Sequence, residues 1–597
     1  MDALREAERP VHRPQRHPVC RRRPVWNGPD RAAGQLAQQP RLGEGHPHRQ
    51  PGNRPGLGDA LHSAPRGGRR RRRGVPGRGL RRQHLRGRGQ PAAARTLCAP
   101  PAVGAARLLI SSRRCRSGHL RMASIRPLLV IGFAALAVLP TPDTAAAQSL
   151  AQDDGAFHGY LAARVDDDGQ LQVIDELQAG RLFVPASVLK LATVAAALEH
   201  LGAEYQWVTR LVTIGAVRDG VLNGDLIIEP GADPTWGPEA DGEAGLAALA
   251  SQVRARGITR ITGDLVVDGS RFPGRPHPLD REFGDLPYRH GTPPAALAVD
   301  EATIEVHVAP GEAIGRPALV RAPEDIEVIN HATTVGRERH GSGTLDFMPV
   351  WGTDTLVLRG EYPISEPAAT VAASDPVPLR RAAQRLRQAL AGAGIVLDGS
   401  LELRARPVPA SQSTLLAEHR SPALAELLPP ILTDSRNWYA DMLMLALGRE
   451  VAGSGRFDDG VEVVSQFLAE LPDMGLGAAP EPQLQDGSGL SATNLVSPAI
   501  VVRLLAHASR QPWGRTLADA LATPGQGTLA AWPRLPPVAA KTGTLQHTVA
   551  LAGILDPDSG TPVVFCYFVN HYPAQRAAAR REIADALARW RSAAGSR

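Results

Sequence analysis

Lysine is nearly missing from this chain. Of 67 basic residues only two are lysine, Lys190 and Lys541, and the rest are arginine. Arginine stays protonated in proteins, whereas a lysine amine can be tuned by its surroundings into a base. A position that keeps lysine against such a bias is therefore a candidate for chemistry. Cysteine is almost as scarce. Cys20, Cys98 and Cys115 lie within the first 121 residues, and Cys566 stands alone in the body of the chain. One cysteine closes no intramolecular disulfide, and there is no CxxC or metal-type cluster; no metal and no cofactor are expected. In the apolar run PVVFCYF, Cys566 reads as a core residue. Long apolar stretches are lacking too. Leu128–Leu139 is too short to span a bilayer comfortably, so no transmembrane span is expected in the mature protein.

Charge is divided unevenly. Residues 1–121 carry 28 arginines against 6 acids, whereas residues 122–597 carry 39 basic and 54 acidic residues. The body is thus acidic, which argues against a nucleic-acid partner. Residues 1–121 show no hydrophobic period and include GGRRRRRG, a composition that builds no core. They are expected to be disordered and to reflect a mis-assigned start. Met122 then opens MASIRP, followed by the apolar stretch and by Ala145-Ala146-Ala147. A charged start, an apolar centre and an A-x-A end describe a secretory signal over 122–147. The mature protein is expected to begin near Gln148 and to be exported to the periplasm. A chain of 597 residues exceeds one hydrophobic core, so several domains are expected.

Both lysines sit in ordered contexts. Lys190 lies in VPASVLKLATVAAALEHL, where the apolar period is helical from Ser187 onward. Ser187 and Lys190 are three apart, on one face and one turn apart. The positive end of the helix dipole favours a developing anion at the hydroxyl, and burial favours a neutral amine. A neutral amine beside a hydroxyl is a general base for a nucleophile. The simpler reading, a solvated helix face, conflicts with the apolar neighbours of Lys190. Lys541 lies in PPVAAKTGTLQ, where a short strand leads into KTG, and two further strands follow. Taken alone, KTG reads as a strand end turning at Gly543. A third element, TDSRNWYADMLMLALG, places Ser435 and Asn437 at the start of a helix, where either would serve as an N-cap.

S-x-x-K, S-x-N and K-T-G in this order resemble the active-site motifs of the penicillin-binding and serine β-lactamase superfamily. About 245 residues separate the first two. That long insertion resembles the D-alanyl-D-alanine carboxypeptidase/endopeptidase family, the class C low-molecular-mass penicillin-binding proteins. GDLIIEPGADPTW (224–236), GDLVVDGSRF (263–272), PPAALAVD (293–300) and DGSGLS (486–491) match its patterns as well. The resemblance implies that Ser187 attacks the penultimate D-Ala carbonyl and that Lys190 takes its proton. It implies that Ser435, with Lys541, relays a proton to the leaving amine. Asn437 would orient the substrate amide and Lys190, and Lys541 and Thr542 of the Lys541-Thr542-Gly543-Thr544 strand would hold the terminal carboxylate. The backbone N–H groups of Ser187 and Thr544 would form the oxyanion hole. Asp285 would meet the ammonium of a diaminopimelate side chain, although a loop aspartate opening a turn before Pro287 is the simpler reading. Peptidoglycan stem peptides are the implied substrates, β-lactams the implied covalent inhibitors, and a peripheral membrane contact stays open. Arg436 stands where the family usually has Asp, Val188 where Ser or Thr is common, and His547 where a small residue is usual.

The implied fold is α+β, a penicillin-binding/serine β-lactamase-like catalytic domain of antiparallel sheet with helices. Residues 148–205 and 406–597 would form it, split by a mainly β insertion over 206–405 that divides into two small domains. A β-lactamase or esterase of the same superfamily is the competing enzyme, and an inactive peptidoglycan-binding protein is the competing non-enzyme. The long insertion and the absence of an obvious deacylating Glu motif argue against the first. The complete set of motif residues argues against the second.

Overall fold

The computed structural model describes residues 155–595, apart from 167, 238–241, 276–277, 337–343, 406, 408–409, 561 and 573–575. The segments 1–121 and 122–147 discussed above lie outside the described residues.

The two ends of this range meet in one five-stranded antiparallel sheet. Its strands are β1 (Phe157–Val165), β2 (Leu171–Leu177), β3 (Val538–Leu545), β4 (Thr548–Leu555) and β5 (Val563–Asn570), in the spatial order β2-β1-β5-β4-β3. Every residue of the central strand β5, VVFCYFVN, is buried. Period-two alternation explains why a strand with no polar face is stable here. Val564, Cys566 and Phe568 point into one core, and Phe565, Tyr567 and Val569 into another. The first core is completed by α1 (Lys190–His200), α2 (Asn437–Glu450), α3 (Phe457–Ala469) and α4 (Pro498–Ser509). The second is closed by α5 (Arg576–Gly595), through Ile583, Leu587 and Trp590. The fold is α+β with the nucleophile segment at its centre. Cys566 is fully buried, and burial pushes its thiol pKa up, so it is an inert core residue.

The chain leaves this sheet after α1. Strands Leu401–Arg404, Leu265–Asp268, Leu226–Glu229, Val208–Thr213 and Thr414–Arg420 form a second five-stranded sheet in that order. Helices Gly242–Ala255 and Pro378–Gly392 pack on it, burying Leu249, Val253, Leu386 and Leu390 against Ile228 and Val267. A separate core of Ile304, Val306, Phe347, Leu356 and Leu358 lies within all-β segments between residues 303 and 374. Among its described residues the insertion is thus mainly β, with two α-helices. Its strand pairing continues to Arg420, past 405, because Thr414–Arg420 pairs antiparallel with Val208–Thr213.

Pro429 and Pro430 open a short helix, Leu428–Leu432, in the first-turn positions where a missing N–H costs nothing. Among the described residues no helix is long and apolar enough to cross a membrane.

Candidate active site

Ser187 lies in a single 3₁₀ turn, Ala186–Leu189, that runs directly into α1. Ala186 has φ +48°, a conformation that costs an alanine about 1 kcal/mol or more and persists where its surroundings enforce it. Two glycines supply that enforcement. A Cβ at Gly489 would lie 1.9 Å from the Ala186 carbonyl oxygen. One at Gly543 would lie 2.6 Å from the Pro185 carbonyl oxygen. The glycine of K-T-G therefore serves close approach to the nucleophile turn rather than a strand end, since it lies inside β3.

The Lys190 side chain is fully buried. Its Nζ lies 2.9 Å from Ser187 Oγ, 2.7 Å from Asn437 Oδ1 and 2.6 Å from the Ser488 carbonyl oxygen. Two of these partners are obligate acceptors. A neutral amine donates its two hydrogens to them and turns its lone pair to the hydroxyl, which can then donate. Burial lowers the Lys190 pKa to about 7; Asp441 and Asp486 oppose the shift and Arg281 adds to it.

The S-x-N segment corrects the cap reading. Arg436 is the N-cap residue of α2, no side chain caps it, and Ser435 has φ +65°. Ser435 and Asn437 are therefore free for other work. Asn437 accepts from Lys190 and donates through Nδ2 to the His290 carbonyl at 2.7 Å.

Lys541 occupies β3, the edge of the sheet, and is fully buried. Its Nζ donates to the Thr542 carbonyl at 3.0 Å. Burial, and then the nearby Lys190 charge, hold its pKa well below the usual lysine range, while Asp434 opposes them. The two amines thus sense each other, and the turn before α2 faces the strand. Thr528 ties them together, donating its N–H to Thr433 O at 3.1 Å while its hydroxyl accepts from Thr542 Oγ1 at 2.7 Å. Backbone direction along β3 is also readable. The Ala540 N–H donates away from β4, to Ala522 O at 2.9 Å. Alternation then turns the N–H groups of Thr542 and Thr544 outward as well. Thr544 is half-buried, facing the open edge.

The insertion reaches this centre. Asp285 lies 3.1 Å from the His290 ring, and the His290 carbonyl receives Asn437. Asp285 thus stands one residue away from the S-x-N side chains. Arg436 pairs with Glu301, which Arg289 also meets at 3.0 Å. Its unusual charge is answered locally. His547 is exposed at φ +59° in the two-residue turn between β3 and β4, with Nδ1 3.1 Å from the Tyr572 carbonyl. Sequence reasoning did not single out Asp441, Glu301 or Thr528, and met Asp486 and Ser488 only within DGSGLS, without a role. Asp441 had a signal, as the lone acid inside the apolar run of α2.

A family model described as the D-Ala-D-Ala carboxypeptidase 3 (S13) family matches residues 144–594. This chain belongs to that family. The S13 enzyme is 33% identical over 427 residues to the D-alanyl-D-alanine carboxypeptidase of Actinomadura sp. (strain R39), covering 68% of this chain and 76% of the relative. It is 28% identical over 435 residues to the D-alanyl-D-alanine carboxypeptidase DacB of Haemophilus influenzae, covering 70% and 86%. The crystal structure of penicillin binding protein 4 (dacB) from Haemophilus influenzae superposes with a TM-score of 0.64 at 25% identity, over 73% of this chain and 94% of that one. A structure of the same protein complexed with a novel β-lactam superposes at 0.61 with 24% identity, over 74% and 96%. The S13 chain is thus a serine-type D-Ala-D-Ala carboxypeptidase acting on peptidoglycan, with a penicillin-binding-protein fold.

Proposed function

We propose that this carboxypeptidase works through an acyl-enzyme on Ser187, with Lys190 as the base. The observation that carries this reading is the buried Lys190 amine, 2.9 Å from Ser187 Oγ and fixed from behind by Asn437 and Ser488. The Ser187 proton passes to Lys190 as Oγ bonds to the penultimate D-Ala carbonyl carbon. The oxyanion meets the outward N–H of Thr544 and the N–H of Ser187, whose turn leads into α1. The proton then reaches the leaving amine through Ser435 and Lys541, and the C–N bond breaks. Water hydrolyses the ester, releasing the shortened stem peptide. Thr542 and Lys541 receive the terminal carboxylate, while Asn437 aligns the substrate amide.

Asp285 offers a carboxylate near this centre for the ammonium of a diaminopimelate side chain. A crosslinked stem carries the same D-alanyl bond, so D-alanyl endopeptidase activity belongs to the same site. β-Lactams acylate Ser187, and their tethered leaving group slows hydrolysis. A structure of the Haemophilus influenzae relative complexed with a β-lactam supports β-lactam binding. The motif at 122–147 supports export, with the periplasm as destination.

The test is labelling with fluorescent penicillin, together with D-Ala release from a stem pentapeptide. Stable labelling that disappears in Ser187→Ala is the expected result. Labelling retained in that variant overturns the assignment of the nucleophile, and rapid turnover of the label points instead to a β-lactamase. The mature N-terminus, read by mass spectrometry, checks the export signal.

A further inference from the structure

Behind Lys190 lies a buried cluster drawn from three parts of the chain. Arg281 comes from the insertion, Asp441 from α2, and Asp486 from the loop that follows Leu484. The Arg281 side chain is 0% exposed and those of Asp441 and Asp486 are each 1% exposed. Arg281 Nη2 lies 2.6 Å from Asp441 Oδ2 and 3.5 Å from both Asp486 Oδ2 and Ser488 Oγ. Its Nη1 donates to the Thr292 carbonyl at 3.3 Å, which ties it to its own region.

The two carboxylates organise the loop that touches Lys190. Asp441 accepts from the Gly487 N–H at 3.2 Å. Asp486 accepts from the N–H groups of Gly489 and Ser491 at 2.7 and 2.8 Å, and from Asn494 Nδ2 at 2.9 Å. Between these fixed points the Ser488 carbonyl accepts from Lys190, and Gly489 packs against Ala186. Two carboxylates buried together repel each other and need a counter-charge. Removing one partner of such a set leaves an uncompensated buried charge.

We propose that Arg281 is a positioning residue for acylation: a buried charge, delivered by the insertion, that holds Asp441 and Asp486 together and sets the electrostatic balance around the Lys190 amine. This rests on Lys190 acting as the base toward Ser187. It also gives the insertion a part in the chemistry. The charged groups facing Lys190 are Asp441 from α2, Asp486 from the 486–491 loop, Arg281 from the insertion and Lys541 from β3. Loss of the Arg281 charge favours the protonated amine, and loss of the Asp441 charge disfavours it.

The experiment is the pH dependence of the second-order rate of benzylpenicillin acylation, using the full chain and its Arg281→Met, Arg281→Lys and Asp441→Asn variants. In Arg281→Met the acid limb moves to higher pH by about one unit. Arg281→Lys keeps the charge and returns the limb toward the wild-type position. Asp441→Asn keeps a side-chain acceptor for Gly487 and moves the limb to lower pH, so it decides the matter if Arg281→Met does not fold. A merely structural clamp would lower the rate without moving the limb in opposite directions. Limbs that coincide with wild type in both Arg281→Met and Asp441→Asn overturn the proposal. A wild-type enzyme with no acid limb near neutrality overturns the Lys190 reading instead, which separates the two failures.

Discussion

Replacing Lys190 by arginine isolates the base from the charge. Arginine keeps a cation at the site but does not release its proton near neutral pH. In the wild type, burial brings the amine pKa to about 7. Roughly half of the amines are then neutral at pH 7, about 99% at pH 9 and about 1% at pH 5. Acylation through Lys190 should follow that fraction, falling about tenfold per pH unit below neutrality. The Arg variant has no neutral fraction to titrate. It should lose the acid limb and about 10²- to 10⁴-fold in rate, the usual contribution of a positioned general base. Contacts of 2.6 to 2.9 Å around Nζ leave no room for a guanidinium without displacing Asn437 or the Ser488 carbonyl, which adds to the loss. Fluorescent-penicillin labelling from pH 5 to 9 reads the rates, and circular dichroism verifies folding. A folded Lys190→Arg protein that labels within tenfold of wild type at pH 7 would refute the general-base assignment.

The same buried amine has a signature in stability. An unfolded lysine holds its proton to about pH 10.4, whereas folded Lys190 releases it from about pH 7. Between those values the unfolded chain binds more protons, so stability should rise with pH, by up to about 1.4 kcal/mol per unit, and a Lys190→Met variant should show a flatter Tm profile. Gly543→Ala places a Cβ 2.6 Å from the Pro185 carbonyl oxygen, and should push β3 from the nucleophile turn. Acylation should drop at least about tenfold and stability by about 1–3 kcal/mol, measured by labelling and denaturant titration. Arg436→Asp sets a carboxylate beside Glu301, so it should lower activity even though the family usually carries Asp there; adding Glu301→Arg should recover it, as peptide hydrolysis assays would show. Asp285→Asn should weaken kcat/KM on diaminopimelate-containing peptides about tenfold or more, and less on benzylpenicillin.

Composition and order marked the candidate residues. The two lysines kept against an arginine bias, each inside a motif, marked Ser187, Lys190 and Lys541 before any packing was known. Helical spacing placed Ser187 and Lys190 one turn apart, and alternation picked out β3, β4 and β5. Those signals are local: they depend on residues a few positions apart, and the backbone period carries them into space. What local pattern could not supply was the meaning of isolated polar residues. By local pattern alone Ser435 and Asn437 read as caps, because cap preference is all that a helix start reveals; their proposed roles came from the resemblance to S-x-N. Only the fold turned Arg436 into the cap position, twisted Ser435 to φ +65° and aimed Asn437 at a lysine 247 positions away.

Under the proposed mechanism, the lysine by itself marks where proton transfer occurs, since arginine does not yield its proton. The tertiary structure decided how it could occur. Burial strips Lys190 of water, and Asp441, Asp486 and Arg281 converge on it from three distant segments. The pKa of an amine depends on that dielectric and those charges, and no spacing along the chain encodes either.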